Sequence, residues 1–128
     1  MKTFVCNITD AQNRYHDYRS VLDYIYSQFI TAKCEYLALC PEKSRLFYIC
    51  NERTAAWIRK LSIIGLFKDR TEINYDGFSD NCIGVFDGRE VIIENALEDD
   101  KVYLFNTDSI DVIEDTEDAY VVRFDHTA

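Results

Sequence analysis

Cys82-Ile83-Gly84-Val85-Phe86-Asp87-Gly88-Arg89-Glu90-Val91-Ile92-Ile93 is the stretch that decides the fold. Two runs rich in apolar residues flank an Asp-Gly pair. The central residues of a type I′ turn need positive φ, which Asp tolerates and Gly adopts freely, so this pair predicts a two-residue β-hairpin. Downstream, a polar connection over residues 95–100 leads to a strand at 101–105. Two further strands are expected at 110–113 and 119–124, joined by the acidic turn 114–118.

Upstream, Leu46, Phe47, Tyr48, Ile49 and Cys50 form an unbroken apolar run, as a buried strand requires. Asn51 then reads as the N-cap of a helix, with Glu52 favourable in its first turn. Trp57, Ile58, Leu61 and Ile64 form its apolar face and Gly65 is the natural stop. Residues 66–80 read as an irregular loop. At the front, residues 3–6 predict a short strand, with Thr9 and Asp10 as N-cap candidates after it. Tyr15, Tyr18, Leu22, Ile25, Phe29, Ala32, Tyr36 and Leu39 recur at spacings of three and four, which predicts one long core-packing helix from about residue 11 to between 32 and 40, closed by Pro41. The expected architecture is α+β: a central mixed or antiparallel sheet of about four to six strands with two main helices packed on it, in one domain spanning residues 1–128.

The chain holds 23 Asp and Glu against 14 Lys and Arg, a formal charge of −9. From Glu98 to Ala128 ten acidic residues face only Lys101 and Arg123, so this segment carries −8 of the total. Such a field repels phosphate backbones and disfavours direct nucleic-acid binding. It favours a basic protein partner, or serves solubility as a solvated face. The carboxylates that would form an acidic interface are Asp99, Asp100, Glu114, Asp115, Glu117 and Asp118. No apolar run is long enough for a membrane span, and MKTFVCNITD lacks a signal-peptide apolar region, so a non-secreted product is expected.

Cys6, Cys34, Cys40, Cys50 and Cys82 are odd in number and irregular in spacing, with no Cys-x-x-Cys, and His16 and His126 lie at opposite ends. Zinc ligands come in close pairs, so free and mostly buried thiols are expected, with no metal and no cofactor. The acidic turn 114–118 lacks the alternating ligands and central glycine of a calcium loop. No glycine-rich phosphate loop occurs, and nothing in the sequence joins a nucleophile to a base, so no enzyme is expected. His16 falls in the long helix and His126 in a tail.

Taken in order, the strand–Asn51–helix block, the Gly84 to Ile93 hairpin, the acidic loop and strand from Glu98 to Phe105, and the closing strands resemble the axial domain of tailed-phage major capsid proteins, the Johnson or Hong Kong-type fold. Asn51 matches that family's helix-capping Asn, and the long helix before residue 46 matches the helix preceding its strand. The chain departs from the family in lacking a proline before Val91, the extended N-terminal arm, the long E-loop and the spine helix. The resemblance implies a phage-associated structural or accessory head protein that binds capsid subunits, located in the virion or the host cytoplasm, and is compatible with homo-oligomers. Its contact surfaces would be strand edges, exposed aromatics and the loop 66–80. The competing reading is a small acidic phage-type inhibitor or modulator that occupies a basic groove on a host protein.

Overall fold

A computed structural model describes residues 1–39, 45–107, 113 and 119–127. The elements run β1 (Lys2–Asn7), α1 (Ile8–Arg14), α2 (Tyr18–Leu39), β2 (Phe47–Cys50), α3 (Glu52–Lys60), β3 (Phe67–Asp69), β4 (Cys82–Phe86), β5 (Arg89–Ile93), β6 (Lys101–Phe105) and β7 (Tyr120–Asp125). The strands form one seven-stranded mixed sheet in the order β1-β7-β6-β2-β5-β4-β3. The architecture is α+β, as expected, and the sheet is larger than the anticipated four to six strands.

β2 lies at the centre. It pairs parallel with β5 through Tyr48↔Val91 and antiparallel with β6 through Tyr48↔Leu104. All four of its residues are buried, which is why its sequence has no polar alternation. The β4–β5 hairpin closes at Asp87 (φ 49°) and Gly88 (φ 77°), the left-handed pair that a type I′ turn demands. β6 and β7 pair antiparallel, and β1 joins the outer side of β7 in parallel. β1, β2, β5 and β7 therefore all end on the same side of the sheet.

Phe29 of α2 organises one face. Its ring meets Tyr48 of β2 at 5.8 Å, Phe86 of β4 at 5.1 Å and Phe124 of β7 at 6.0 Å, each edge-on. Leu22, Ile25, Ala32 and Tyr36 extend the buried stripe, with Tyr36 edge-on to Tyr120. α3 lies on this same face, where Trp57 packs on Phe124 and Ala55, Ile58 and Leu61 are fully buried. On the opposite face Phe47, Ile49, Ile92, Tyr103, Phe105 and Val121 are buried, and Ile113, between β6 and β7, is also fully enclosed.

Three local readings are corrected. The expected single helix is two, because Asp17 accepts from the Ser20 N–H (2.7 Å) and starts α2 afresh. The stripe overshoots at its ends: Tyr18 is 46% exposed and Leu39 73%. The first cap is Asn7, not Thr9 or Asp10; it ends β1 and accepts from the Asp10 N–H at 2.7 Å. The loop 66–80 contains β3, which pairs with β4 through Phe67↔Phe86. The helix after Asn51 continues as a 3₁₀ turn, Leu61–Ile64, and stops at Gly65 as anticipated. The stop at Pro41 and residues 110–112 of the strand expected at 110–113 lie outside the described residues; Ile113, the one described residue of that strand, is helical.

Truncating Phe29 opens a cavity shared by three strands, so Phe29→Ala should cost about 3–5 kcal/mol in urea denaturation. Tyr48 gives the opposite sign. Its hydroxyl is buried with no hydrogen-bond partner, and burial pushes its pKa well above the usual tyrosine value. Tyr48→Phe removes that orphaned group and should raise stability by about 1 kcal/mol. A lower denaturation midpoint in Tyr48→Phe would contradict this account.

Candidate functional site

The end of the sheet where β1, β2, β5 and β7 finish gathers polar side chains that the sequence scatters from Thr9 to His126. Asn51 (7% exposed) follows β2 directly. Its carbonyl-side oxygen accepts from the Thr54 N–H at 2.8 Å, capping α3. Its Nδ2 donates to the Leu97 carbonyl at 3.1 Å and to Asp99 Oδ1 at 2.7 Å. Arg53 donates to the other Asp99 oxygen at 3.1 Å.

Asp100 sits beside Asp99 with a left-handed backbone, φ 66°. Its N–H donates to the Thr54 hydroxyl at 2.8 Å and its carbonyl accepts from the Phe124 N–H at 2.8 Å. Its carboxylate meets His126 Nε2 at 3.0 Å. The His126 ring lies on Trp57 at 5.9 Å, and the Lys60 ammonium sits 3.9 Å over the same indole. The Thr9 hydroxyl donates to the His126 carbonyl at 2.6 Å. His126 is thus fastened to α1, α3 and the β5–β6 turn, and does not lie in a free tail.

Of the six carboxylates singled out from the sequence, the structure brings Asp99 and Asp100 together here, each with its side chain about half exposed and already bonded inside the chain. Glu114, Asp115, Glu117 and Asp118 lie outside the described residues. They belong to the connection between β6 and β7, which leaves from the opposite end of the sheet. Arg53, Trp57, Lys60 and His126 were missed as a group, because their convergence depends on β7 returning beside β6. Asn51, through its capping position, and Asp99 and Asp100, through the acidic run, were the legible members.

The chemistry of this cluster is that of a strut. Hydrogen bonds from Asn51 and then Arg53 hold the Asp99 carboxyl below its ordinary value. The His126 ring of the His126–Asp100 pair lies on Trp57, and the Thr54 hydroxyl is committed to the Asp100 N–H. Elsewhere, burial raises the Cys6 and Cys50 thiols to about 12 and also raises Cys82, so all three are poor nucleophiles. Cys34 is exposed and Cys40 lies outside the described residues. Among the described residues no group of three His, Cys, Asp or Glu side chains is placed to hold a metal ion, and no helix is long and apolar enough to cross a membrane. Open clefts flank the β4 side. One of about 760 Å³ is lined by Lys68, Glu72, Asn74 and Asp87, and one of about 440 Å³ by Glu52, Asp80 and Glu94.

The surface charge is unevenly spent. Lys2, Arg14, Lys33, Arg53, Arg59 and Lys101 are each paired with a carboxylate, and Arg45, Lys60 and Arg70 lie over aromatic rings. Exposed Asp23, Glu72, Asp76 and Asp80 have no cationic partner among the described residues. Comparison with known proteins finds no family model, no curated protein and no solved structure that matches the chain.

Asn51→Ala removes a cap and leaves the buried Leu97 carbonyl unbonded, and should cost about 2–4 kcal/mol by chemical denaturation. The pH dependence has a definite sign. Asp99 is depressed when folded, so its stabilisation is complete above the unfolded aspartate value of about 3.9 and fades as the pH falls through its lowered folded value. Asp99→Asn should therefore flatten the acid limb of a plot of urea midpoint against pH, and an unchanged limb would count against this assignment.

Proposed function

We propose that this chain is a non-catalytic protein-binding domain that engages a basic surface on its partner. The observation that carries the reading is the charge excess: −9 overall, with most described cations already held by internal carboxylates or rings. The net field at the surface is therefore negative and free to attract a cationic partner. The connection between β6 and β7 concentrates it, since Asp108, Asp111, Glu114, Asp115, Glu117 and Asp118 occur there without a single Lys or Arg.

A second reading places the domain on the heads of tailed phages, as an accessory protein resembling a capsid axial domain. It is supported by the order β2–Asn51–α3 and by α2 and α3 packing on the central sheet, as the resemblance requires. On this reading the domain docks on an assembled shell. Co-sedimentation with assembled heads tests this; a chain that stays in the supernatant at every protein ratio removes it.

The leading reading predicts salt-sensitive capture. The triple variant Asp115→Asn, Glu117→Gln, Asp118→Asn should lose at least about tenfold in affinity for a basic partner recovered from host lysate. Wild-type binding should weaken between about 0.05 M and about 0.5 M salt. Thermal stability of the variant should stay close to wild type. A partner held equally by both forms, or bound more tightly at high salt, would sink the acidic-interface reading.

A further inference from the structure

The sheet has two edges, and they differ. β3 is three residues long and runs straight into a 3₁₀ turn in which the Asp69 carboxylate accepts from Thr71. β1 is six residues long, with no proline, glycine or bulge.

The direction of its backbone groups follows from the ladder. In a parallel pair the N–H and C=O of one residue point the same way. The Lys2 N–H donates to the Ala119 carbonyl at 3.1 Å, so Lys2, Phe4 and Cys6 face β7, and Thr3, Val5 and Asn7 face outward. Asn7 confirms the alternation independently, because its N–H reaches away from the sheet to the Tyr24 hydroxyl at 3.1 Å. Thr3 and Val5 are left with their N–H and C=O groups directed off the edge, and Val5 is 43% exposed. Lysine is a common guard of such edges. Here Lys2 is drawn back, paired with Glu35 and lying over the Phe4 ring at 5.2 Å.

We propose that a second copy of this chain pairs at this edge, β1 running antiparallel to the β1 of the other copy about a two-fold axis at Phe4. The pattern is self-complementary. Thr3 of each copy faces Val5 of the other, closing four hydrogen bonds from the groups the fold leaves open. The two Phe4 residues then meet at a non-hydrogen-bonded pair, where side chains approach most closely. That contact extends the existing row of Phe4, Tyr120 and Tyr36 rings, spaced 5.8 and 5.6 Å.

Charge and area set the strength. β1 itself contains no carboxylate, and Lys2 is neutralised by Glu35, so the touching surfaces are close to neutral. The whole copies, each at −9, repel at long range. A two-strand contact of this length falls at the low end of specific interfaces, below about 1,200 Å². The dimer is therefore reversible and concentration-dependent, and it tightens as salt screens the repulsion. That sign is opposite to the one expected for a basic partner, so the two readings fail separately.

Sedimentation of the full chain from low micromolar to near-millimolar concentration tests the proposal. A monomer–dimer equilibrium is expected, at least about tenfold tighter at about 0.5 M than at about 0.05 M NaCl. Val5→Pro deletes an outward N–H without touching the β7 ladder, and should weaken the dimer by about tenfold or more with an unchanged denaturation midpoint. Amide exchange on the wild-type chain gives a readout independent of any variant: Thr3 and Val5 should gain protection with concentration, while Phe4 and Cys6 are protected throughout. A chain that stays monomeric over the whole range overturns the proposal. So does a dimer in which the Thr3 and Val5 amides gain no protection.

Discussion

The fold turns on Phe29. Its ring touches rings from β4 and from β7, which are four strand spacings apart. In a flat sheet that separation is roughly 19 Å, yet both rings lie within about 11 Å of each other through Phe29. The sheet must coil around α2, and the right-handed twist of strands supplies the direction in which its corners can close. Coiling places Tyr48 at the bottom of the trough, sealed between Phe29 and Phe86, and explains why its hydroxyl reaches no partner. Apolar packing has here outweighed the cost of one buried polar atom, which is a sensible trade when that cost is about 1–3 kcal/mol and several aromatic residues are buried in return.

Coiling by itself leaves the sheet ends open, and Asn51 closes one of them. One side chain caps α3, holds the Leu97 carbonyl and fixes Asp99, which in turn fixes Arg53. Asp100 then takes the C-terminal strand through Phe124 and His126. The direction of causation runs from the centre outward: β2 is buried on both faces, so the first polar residue after it meets the open groups of α3 and of the β5–β6 turn. A polar network this connected stabilises only because each member is bonded, and loss of Asn51 strands several of its neighbours at once.

Sequence reasoning found the elements whose signals are local. The Asp87-Gly88 turn, the run from Leu46 to Cys50, the Asn51 cap and the Gly65 stop each depend on a few adjacent residues. It missed β3, because a three-residue strand with one buried side chain has no periodicity to detect. That strand exists because Gly84 opposite it has no side chain: a Cβ there would lie 2.2 Å from the Lys68 carbonyl and 2.7 Å from the Phe67 ring. It merged α1 and α2, because Tyr15 and Tyr18 continue the apolar stripe across the break that Asp17 imposes. The parallel return of β1 against β7 joins the two termini of the described chain, and no local pattern encodes such a pairing. The strut around Trp57 and His126 depends on that return and was illegible for the same reason.

The placement of the acidic residues separates structure from function. Among the described acidic residues only Asp69, Glu90 and Asp125 lie on strands; the others occupy helices, turns and connections. Within the acidic half, β6 divides the charge between the two ends of the sheet. At one end, Glu98, Asp99 and Asp100 are met by Lys101, Arg53 and His126. At the other, the connection into β7 holds six carboxylates and supplies no cation of its own. A carboxylate that the fold needs has a partner and is spent. The three carboxylates of the β5–β6 turn are of that kind, each held by a neighbouring basic side chain, so their charge is committed to the fold.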